Sequence, residues 1–267
     1  MDFRSLCGNI DLPEEMQKEA ICYYQSGGFD TVRPFVEGLR NMETESNARD
    51  KLNRLLDPDP KKAKMLACML SCASDLYLWY QEKGISETIF LATMRCFTRF
   101  IEECREITGQ YAFDREWWTA RQISGNLFRI GELEYEMTHV GQKPVISIHI
   151  PSDSVLTPQN CSASLESAKA FFAKYFPLYE GKDFVCHSWL LAPELKSLLP
   201  PDSNIILFQH RFLLQDVDYS EIECMNWVFK TRNVPIAELP ENTTLQKNMK
   251  RHLLNGGKIG CGRGRLI

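Results

Sequence analysis

Along the first ~120 residues the apolar positions recur at three- and four-residue spacing, which predicts helices and no strands. The clearest stripe is Ile89, Phe90, Met94, Phe97, Ile101 and Cys104, in a helix expected from a cap at Ser86 to a stop at Gly109. "LPEEMQKEAICYYQSGG" opens on Pro13, tolerated in a first helical turn, and "FDTVRPFVEGLRN" follows with Asp30 as its expected cap. "KKAKMLACMLSCASDLYLWYQEKG" starts after a proline-rich turn, and "DREWWTARQISG" is expected to be capped by Asp114 and to place one of Trp117 and Trp118 in the core.

Near Gly125 the period falls to two. In "LFRIGELEYEM", read as one strand, Glu132, Glu134 and Glu136 share one face, and Leu133, Tyr135 and Met137 share the other. Next come a strand "VISIHI", a helix "SASLESAKAFFAKYFP" capped by Ser162 or Ser164 and stopped by Pro177, and a strand "FVCHSWL". A short helix "APELKSLLP" precedes two further predicted strands, "IILFQHRF" and "EIECMNWVF". The chain closes on an amphipathic helix "TTLQKNMKRHLLNGG" and a glycine-rich, mobile tail "GKIGCGRGRLI". This order predicts an α+β protein: an all-helical domain over 1–122, then a mixed sheet flanked by helices over 123–267. "VISIHI" and "FVCHSWL" should lie side by side and parallel, because a helix joins them.

Composition agrees with two domains, since 267 residues exceed the ~150 of a usual one and 44% hydrophobic content fills two cores. A net charge of -4 argues against a dedicated nucleic-acid binder, which carries a basic face. The ten cysteines form no CxxC pair and imply a reducing compartment. Cys68 and Cys72, one helical turn apart, either bind metal or pack as small hydrophobes; packing is the favoured reading, and no metal is expected. The amino terminus lacks the apolar core of a signal peptide. The most apolar helix is broken by Ser71, Ser74 and Asp75, short of the ~20 apolar residues of a membrane span. A cytoplasmic protein that does not enter the membrane is expected.

"FRIGELEYEM", "ISIHIP", "FVCHSWLL", "LPPDSNI" with "FQHRF", and "LPENTTLQKNMKRHLLNGG", in this order, resemble a bacterial family of acyltransferase domain-containing proteins. Its members join a helical N-acyltransferase N-terminal domain to a GNAT-like C-terminal domain, and the resemblance covers most of the chain. It implies transfer of an acyl group from acyl-CoA or acetyl-CoA to a small-molecule or peptide amine, by direct attack and without a covalent enzyme intermediate. In GNAT folds two strands splay to admit the acyl group, and a strand-to-helix turn receives the CoA pyrophosphate.

That resemblance puts the acyl-CoA cleft between the "ISIHIP" and "FVCHSW" strands, with Ile148, Ile150 and Cys186 along it and Ser162 and Ser164 at the helix start. His149, at the end of its strand, is the first candidate base, because imidazole exchanges protons near neutral pH; the alternative is a histidine bonded to backbone. Glu134 or Glu132 would serve as base or anchor for the amine, against the plainer reading of a solvated strand face. Cys186 and His187 are adjacent on a strand and point to opposite faces, so they form no dyad; Cys186 could meet His149 across strands or be a buried cysteine. Arg211 either holds an anion or is an exposed strand residue.

The sequence departs from GNAT enzymes at one place. They carry an Arg/Gln-x-x-Gly-x-Gly/Ala turn where this chain has "PSDSVLTPQNCSAS", with Pro151 and Pro158 and no glycine. Proline removes amide donors, and every Cβ keeps a pyrophosphate farther from the backbone. The departure supports a second reading, a catalytically degenerate GNAT-like module that binds a small ligand or protein partner in the former acyl-CoA cleft.

Overall fold

The structure is a computed structural model and describes residues 1–220, 223–231 and 234–267. The chain forms two compact units, Met1–Arg129 and Ile130–Ile267.

The first unit is helical: α1 (Phe3–Asn9), α2 (Glu14–Tyr24), α3 (Gly27–Val36), α4 (Glu45–Leu55), α5 (Ala63–Lys83), α6 (Glu87–Met94), α7 (Cys96–Thr108) and α8 (Glu116–Ile123). α5 is its core, with Met65, Leu66, Met69, Leu70 and Tyr80 fully buried, and it packs on α1, α2, α3, α6 and α8. Cys68 and Cys72 are part of that core. Burial pushes the Cys68 thiol up to about 12 and Cys72 up as well, away from the thiolate that metal binding requires.

Three local expectations for this unit change. The helix predicted from Ser86 to Gly109 is two helices that turn at Arg95, although both expected ends hold: the Ser86 hydroxyl caps α6, and Gly109 closes α7 at φ 78°. Ser26, not Asp30, caps α3, because its hydroxyl accepts from Phe29 N at the true helix start. α8 begins after Arg115 with no side-chain cap, and Asp114 lies outside it.

The second unit is built on a six-stranded mixed sheet in the order β1-β2-β3-β4-β6-β5. Its strands are β1 (Leu127–Ile130), β2 (Leu133–Val140), β3 (Lys143–His149), β4 (Phe184–Ser188), β5 (Phe212–Asp218) and β6 (Cys261–Leu266). α9 (Pro158–Tyr175) crosses from β3 to β4, which run parallel as expected. α10 (Leu195–Leu198), α11 (Asn204–Gln209), α12 (Glu223–Phe229) and α13 (Thr244–Leu254) complete the unit. α9 starts earlier than expected: Thr157 is the cap, Pro158 occupies the first turn, and Ser162 and Ser164 lie inside the helix.

Four predictions of strand or coil fail here for identifiable reasons. "LFRIGELEYEM" is a hairpin, because Gly131 turns the chain at φ 62° between β1 and β2. "IILFQHRF" splits into α11, capped by the Ser203 hydroxyl on Ile206 N, and the start of β5. "EIECMNWVF" is largely α12: Cys224, Met225, Val228 and Phe229 face one helical cluster with Leu195, Leu198 and Met249, at spacings of one, three and four. The first two residues of that segment, 221 and 222, lie outside the described residues. The glycine-rich tail is not mobile coil; it is β6, antiparallel to both β4 and β5.

The tail's glycines permit that insertion. A Cβ on Gly262 would stand 2.6 Å from the Leu191 carbonyl oxygen, and one on Gly264 would stand 3.1 Å from the Phe212 Cβ. Backbone cannot move aside as a side-chain tip can. Gly262→Ala is therefore expected to destabilise the sheet unit by ~1–3 kcal/mol, as overpacking does, and urea unfolding of the two proteins side by side measures it.

Candidate active site

The site grows from the register of three strands. In β2 and β3, Glu134 lies opposite His149, Tyr135 opposite Ile148, and Glu136 opposite Ser147. Side chains alternate, so Tyr135 and Ile148 face α9 while Glu134, Glu136, Ser147 and His149 share the other side. The α9 side is closed: Tyr135 and Ile148 are fully buried, and the Tyr135 ring meets Phe172 and Phe184 edge-on.

On the other side, His149 Nε2 and Glu136 Oε2 are 2.8 Å apart. Glu136 reaches diagonally, past its direct partner Ser147, whose short side chain leaves the space. With Glu136 as the acceptor, Nε2 carries the hydrogen and the basic position of the ring is Nδ1. Both side chains are mostly buried, 21% exposed for His149 and 13% for Glu136, so the contact is poorly screened by water.

The pairing of β3 with β4 is short. It runs from Ile146–Phe184 through Ser147–Val185 to Ile148–Cys186 and, among the described residues, goes no further. β4 continues to Ser188, where, among the described residues, it stays paired through its other edge to β6, His187 opposite Arg263 and Ser188 opposite Gly262. The strands thus part at His149 on one side and His187 on the other, with half-buried Ile150 just beyond.

Other candidates lie elsewhere. Cys186 shares the register of Ile148 and so the α9 face, away from His149; the cross-strand thiol–imidazole contact does not form. It is buried, and burial pushes its thiol up to about 12. Glu134 is on the His149 face but only 2% exposed. Glu132 has left the strand for the β1–β2 turn, where its carboxylate accepts from Val155 N at 2.8 Å and Asn160 Nδ2 at 3.4 Å, while its carbonyl accepts from Ser154 Oγ at 2.6 Å.

The glycine-free loop is consequently cross-linked at both ends. Thr157 Oγ1 accepts from Asn160 N, and Arg211 Nη2 donates to Pro158 O at 2.7 Å and to Ser162 Oγ at 3.0 Å. Arg211 follows α11 and is half-buried, so it is neither on a strand nor fully exposed. Ser164 Oγ donates to Ile130 O and bonds the Tyr135 hydroxyl, inside the packing of α9 on the hairpin. Both serines expected at the pyrophosphate are engaged by protein.

Glu136 was one of three glutamates in the stripe, and no spacing singled it out; the β2–β3 register is the signal that does. His187 was weighed in the sequence only as a partner of Cys186.

With this geometry in view, known proteins give the following comparisons. Residues 127–266 match the model of the GNAT-like C-terminal domain, and residues 1–125 match the model of the N-acyltransferase N-terminal domain. No curated protein matches the chain. Among solved structures, an acyltransferase in complex with decanoyl-CoA and teicoplanin aligns with a TM-score of 0.82 at 22% identity, over 98% of this chain and 86% of that one. An acyltransferase in complex with decanoyl-CoA and a mutant acyltransferase in complex with octanoyl-CoA align equally well, at 22% and 21% identity and the same coverage of both chains. At this identity the likeness is one of fold.

Cys186→Ala removes one buried sulfur from the α9 face. It is expected to lower stability by ~1 kcal/mol, the scale of a small cavity, and to leave any catalytic rate unchanged; a thermal melt and a rate measurement on the same preparation check both.

Proposed function

We propose that this chain, which belongs to the family combining an N-acyltransferase N-terminal domain with a GNAT-like C-terminal domain, transfers an acyl group from acyl-CoA to an amine. The carrying observation is the His149–Glu136 pair, held where the β3–β4 pairing ends. The thioester enters the gap between the parted strands, beyond Ile148 and alongside Ile150, and its carbonyl oxygen is met there by backbone amides. The amine attacks directly, and His149 takes its proton on Nδ1 while Glu136 holds the ring and stabilises the imidazolium that forms. Glu134, directly opposite His149 on the same face, anchors the acceptor amine.

The acceptor is a small-molecule or peptide amine. The likeness to acyltransferases solved with decanoyl-CoA, octanoyl-CoA and teicoplanin makes medium-chain acyl-CoAs and a peptide amine the first substrates to try. Ten free cysteines, nine of them buried, suit a reducing cytoplasm, and among the described residues no helix is long and apolar enough to cross a membrane.

A second reading is favoured by the loop: with its glycines absent and its hydroxyls engaged by Glu132, Tyr135 and Arg211, the chain would keep the cleft only to bind a ligand or partner.

The two readings separate in one experiment. The full chain is incubated with decanoyl-, octanoyl- or acetyl-CoA and a set of peptide and small-molecule amines, and free thiol is followed. His149→Gln is expected to lower kcat by ~10²-fold or more with little change in KM for acyl-CoA, the scale of lost general-base catalysis, and Glu136→Gln by a smaller factor. A ligand at 100 times its Kd stabilises a fold by ~2.7 kcal/mol. No thiol release and no thermal shift with any acyl-CoA would sink the enzyme reading.

A further inference from the structure

We propose that His187 is the second proton-transfer residue of this site, the one that protonates the departing CoA sulfur. This rests on the reaction proposed above and concerns the half of it that His149 does not serve.

Three observations carry it. The first is position. Continuing the β3–β4 register one step beyond Ile148–Cys186 brings His149 and His187 opposite each other, on the face away from α9, at the point where the strands part. A thioester lying in that opening has one imidazole on each side. The second is exposure. His187 is exposed on β4 between buried Cys186 and buried Ser188, so its imidazole is open to a ligand in the gap.

The third is charge. Arg263 faces His187 across β4 and β6, and Asp216 faces Arg263 across β6 and β5. Asp216 and Asp218 both lie near the Arg263 guanidinium, at 3.7 and 3.8 Å. Hydrogen bonds from Ser220 hold the Asp218 carboxyl below the usual carboxylate range, and Arg263 and His187 lower it further. The neighbouring Arg265–Asp183 pair is neutral in itself. His187 thus stands beside Arg263 and the two carboxylates of β5, while His149 is set against a carboxylate that orients it.

The chemistry balances with the two histidines in these roles. The amine nitrogen forms a bond to the thioester carbonyl carbon and gives a proton to His149. The tetrahedral intermediate collapses, the carbon–sulfur bond breaks, and its electron pair takes a proton from the His187 imidazolium to give free CoA thiol. The products are the amide and CoA; the proton left on His149 and the one missing from His187 are exchanged with solvent before the next turnover. A thiol of this alkyl kind ionises near ~8.5, so its thiolate gains from a proton as it leaves.

A leaving-group experiment tests this. The full chain and its His187→Gln and His149→Gln variants are assayed for acyl transfer to one amine from decanoyl-CoA and from the decanoyl thioester of 4-nitrothiophenol, whose thiolate departs without help. His187→Gln is expected to lose ~10²-fold in rate with decanoyl-CoA, the scale of one general acid, and to recover most of that loss with the aryl thioester. His149→Gln should lose equally with both donors, because its proton comes from the amine. A His187→Gln variant that is fully active, or that loses the same factor with both donors, overturns the role of His187 and leaves the acyltransferase reading standing. A native chain that transfers from neither donor to any amine removes that reading and this one together. A thermal melt matching the native chain verifies that the exposed substitution leaves the fold intact.

Discussion

The short parallel pairing of β3 with β4 is the constraint on which the rest of the second unit depends. Parallel neighbours need a crossover, and α9 supplies it, so one face of both strands is committed to α9 and must be apolar. Tyr135, Ile148, Phe184 and Cys186 meet that demand. The polar residues of the same strands are then forced to the opposite face by alternation alone, which is how Glu136, His149 and His187 come to share a side. The pairing ends after three steps, at Ile148–Cys186, where β3 is about to end at His149 while β4 runs on to Ser188. That far end of β4 is held from its other edge, where β6 pairs with it from Val185 to Ser188. β6 fits there because Gly262 and Gly264 let Leu191 and Phe212 approach its backbone.

The strand-to-helix loop shows what happens when the usual solution to a phosphate turn is not used. Without glycine the backbone cannot wrap closely around an anion, and buried or half-buried donors still require partners. Here they find protein. One carboxylate, Glu132, gathers the Val155 amide and the Asn160 side chain, while its carbonyl takes the Ser154 hydroxyl. One guanidinium, Arg211, ties the first turn of α9 from the other side, binding only neutral oxygens among its hydrogen-bond partners. A loop held in this way is shaped before any ligand arrives.

Elements governed by a local rule were readable from the residues. The α5 core, the Ser86 cap, the Gly109 stop and the crossover between β3 and β4 each follow from a period, a capping side chain or a connection rule. Two failures share a cause: apolar runs too short for period two and period 3.6 to be told apart. "NIILFQ" is helical because Ser203 caps it and Gln209 can then donate to Leu190 O and Ala192 O, both contacts far off in sequence. In "ECMNWVF" the helical spacing of Cys224, Met225, Val228 and Phe229 was present, but β-branched and aromatic residues suggested a strand; the helical cluster around Met249 decided the matter. The tail misled for the opposite reason, since glycines that read as flexible are there to let other chain segments come close.

The three glutamates of "GELEYE" show the limit most sharply, because identical residues at equal spacing end in three situations. Gly131 turns the chain immediately before Glu132, which removes that carboxylate from the sheet and assigns it to the loop. Glu134 stays on the strand directly opposite His149 yet is almost wholly buried. Glu136 is two residues out of register with His149 and is nevertheless the one that bonds it, because Ser147 opposite is too small to fill the gap and the diagonal is open. A residue larger than serine at 147 would occupy that diagonal and separate the pair. The orientation of the proposed base is therefore determined jointly by a strand register and by the smallness of one side chain on the neighbouring strand, and a periodicity of two carries neither.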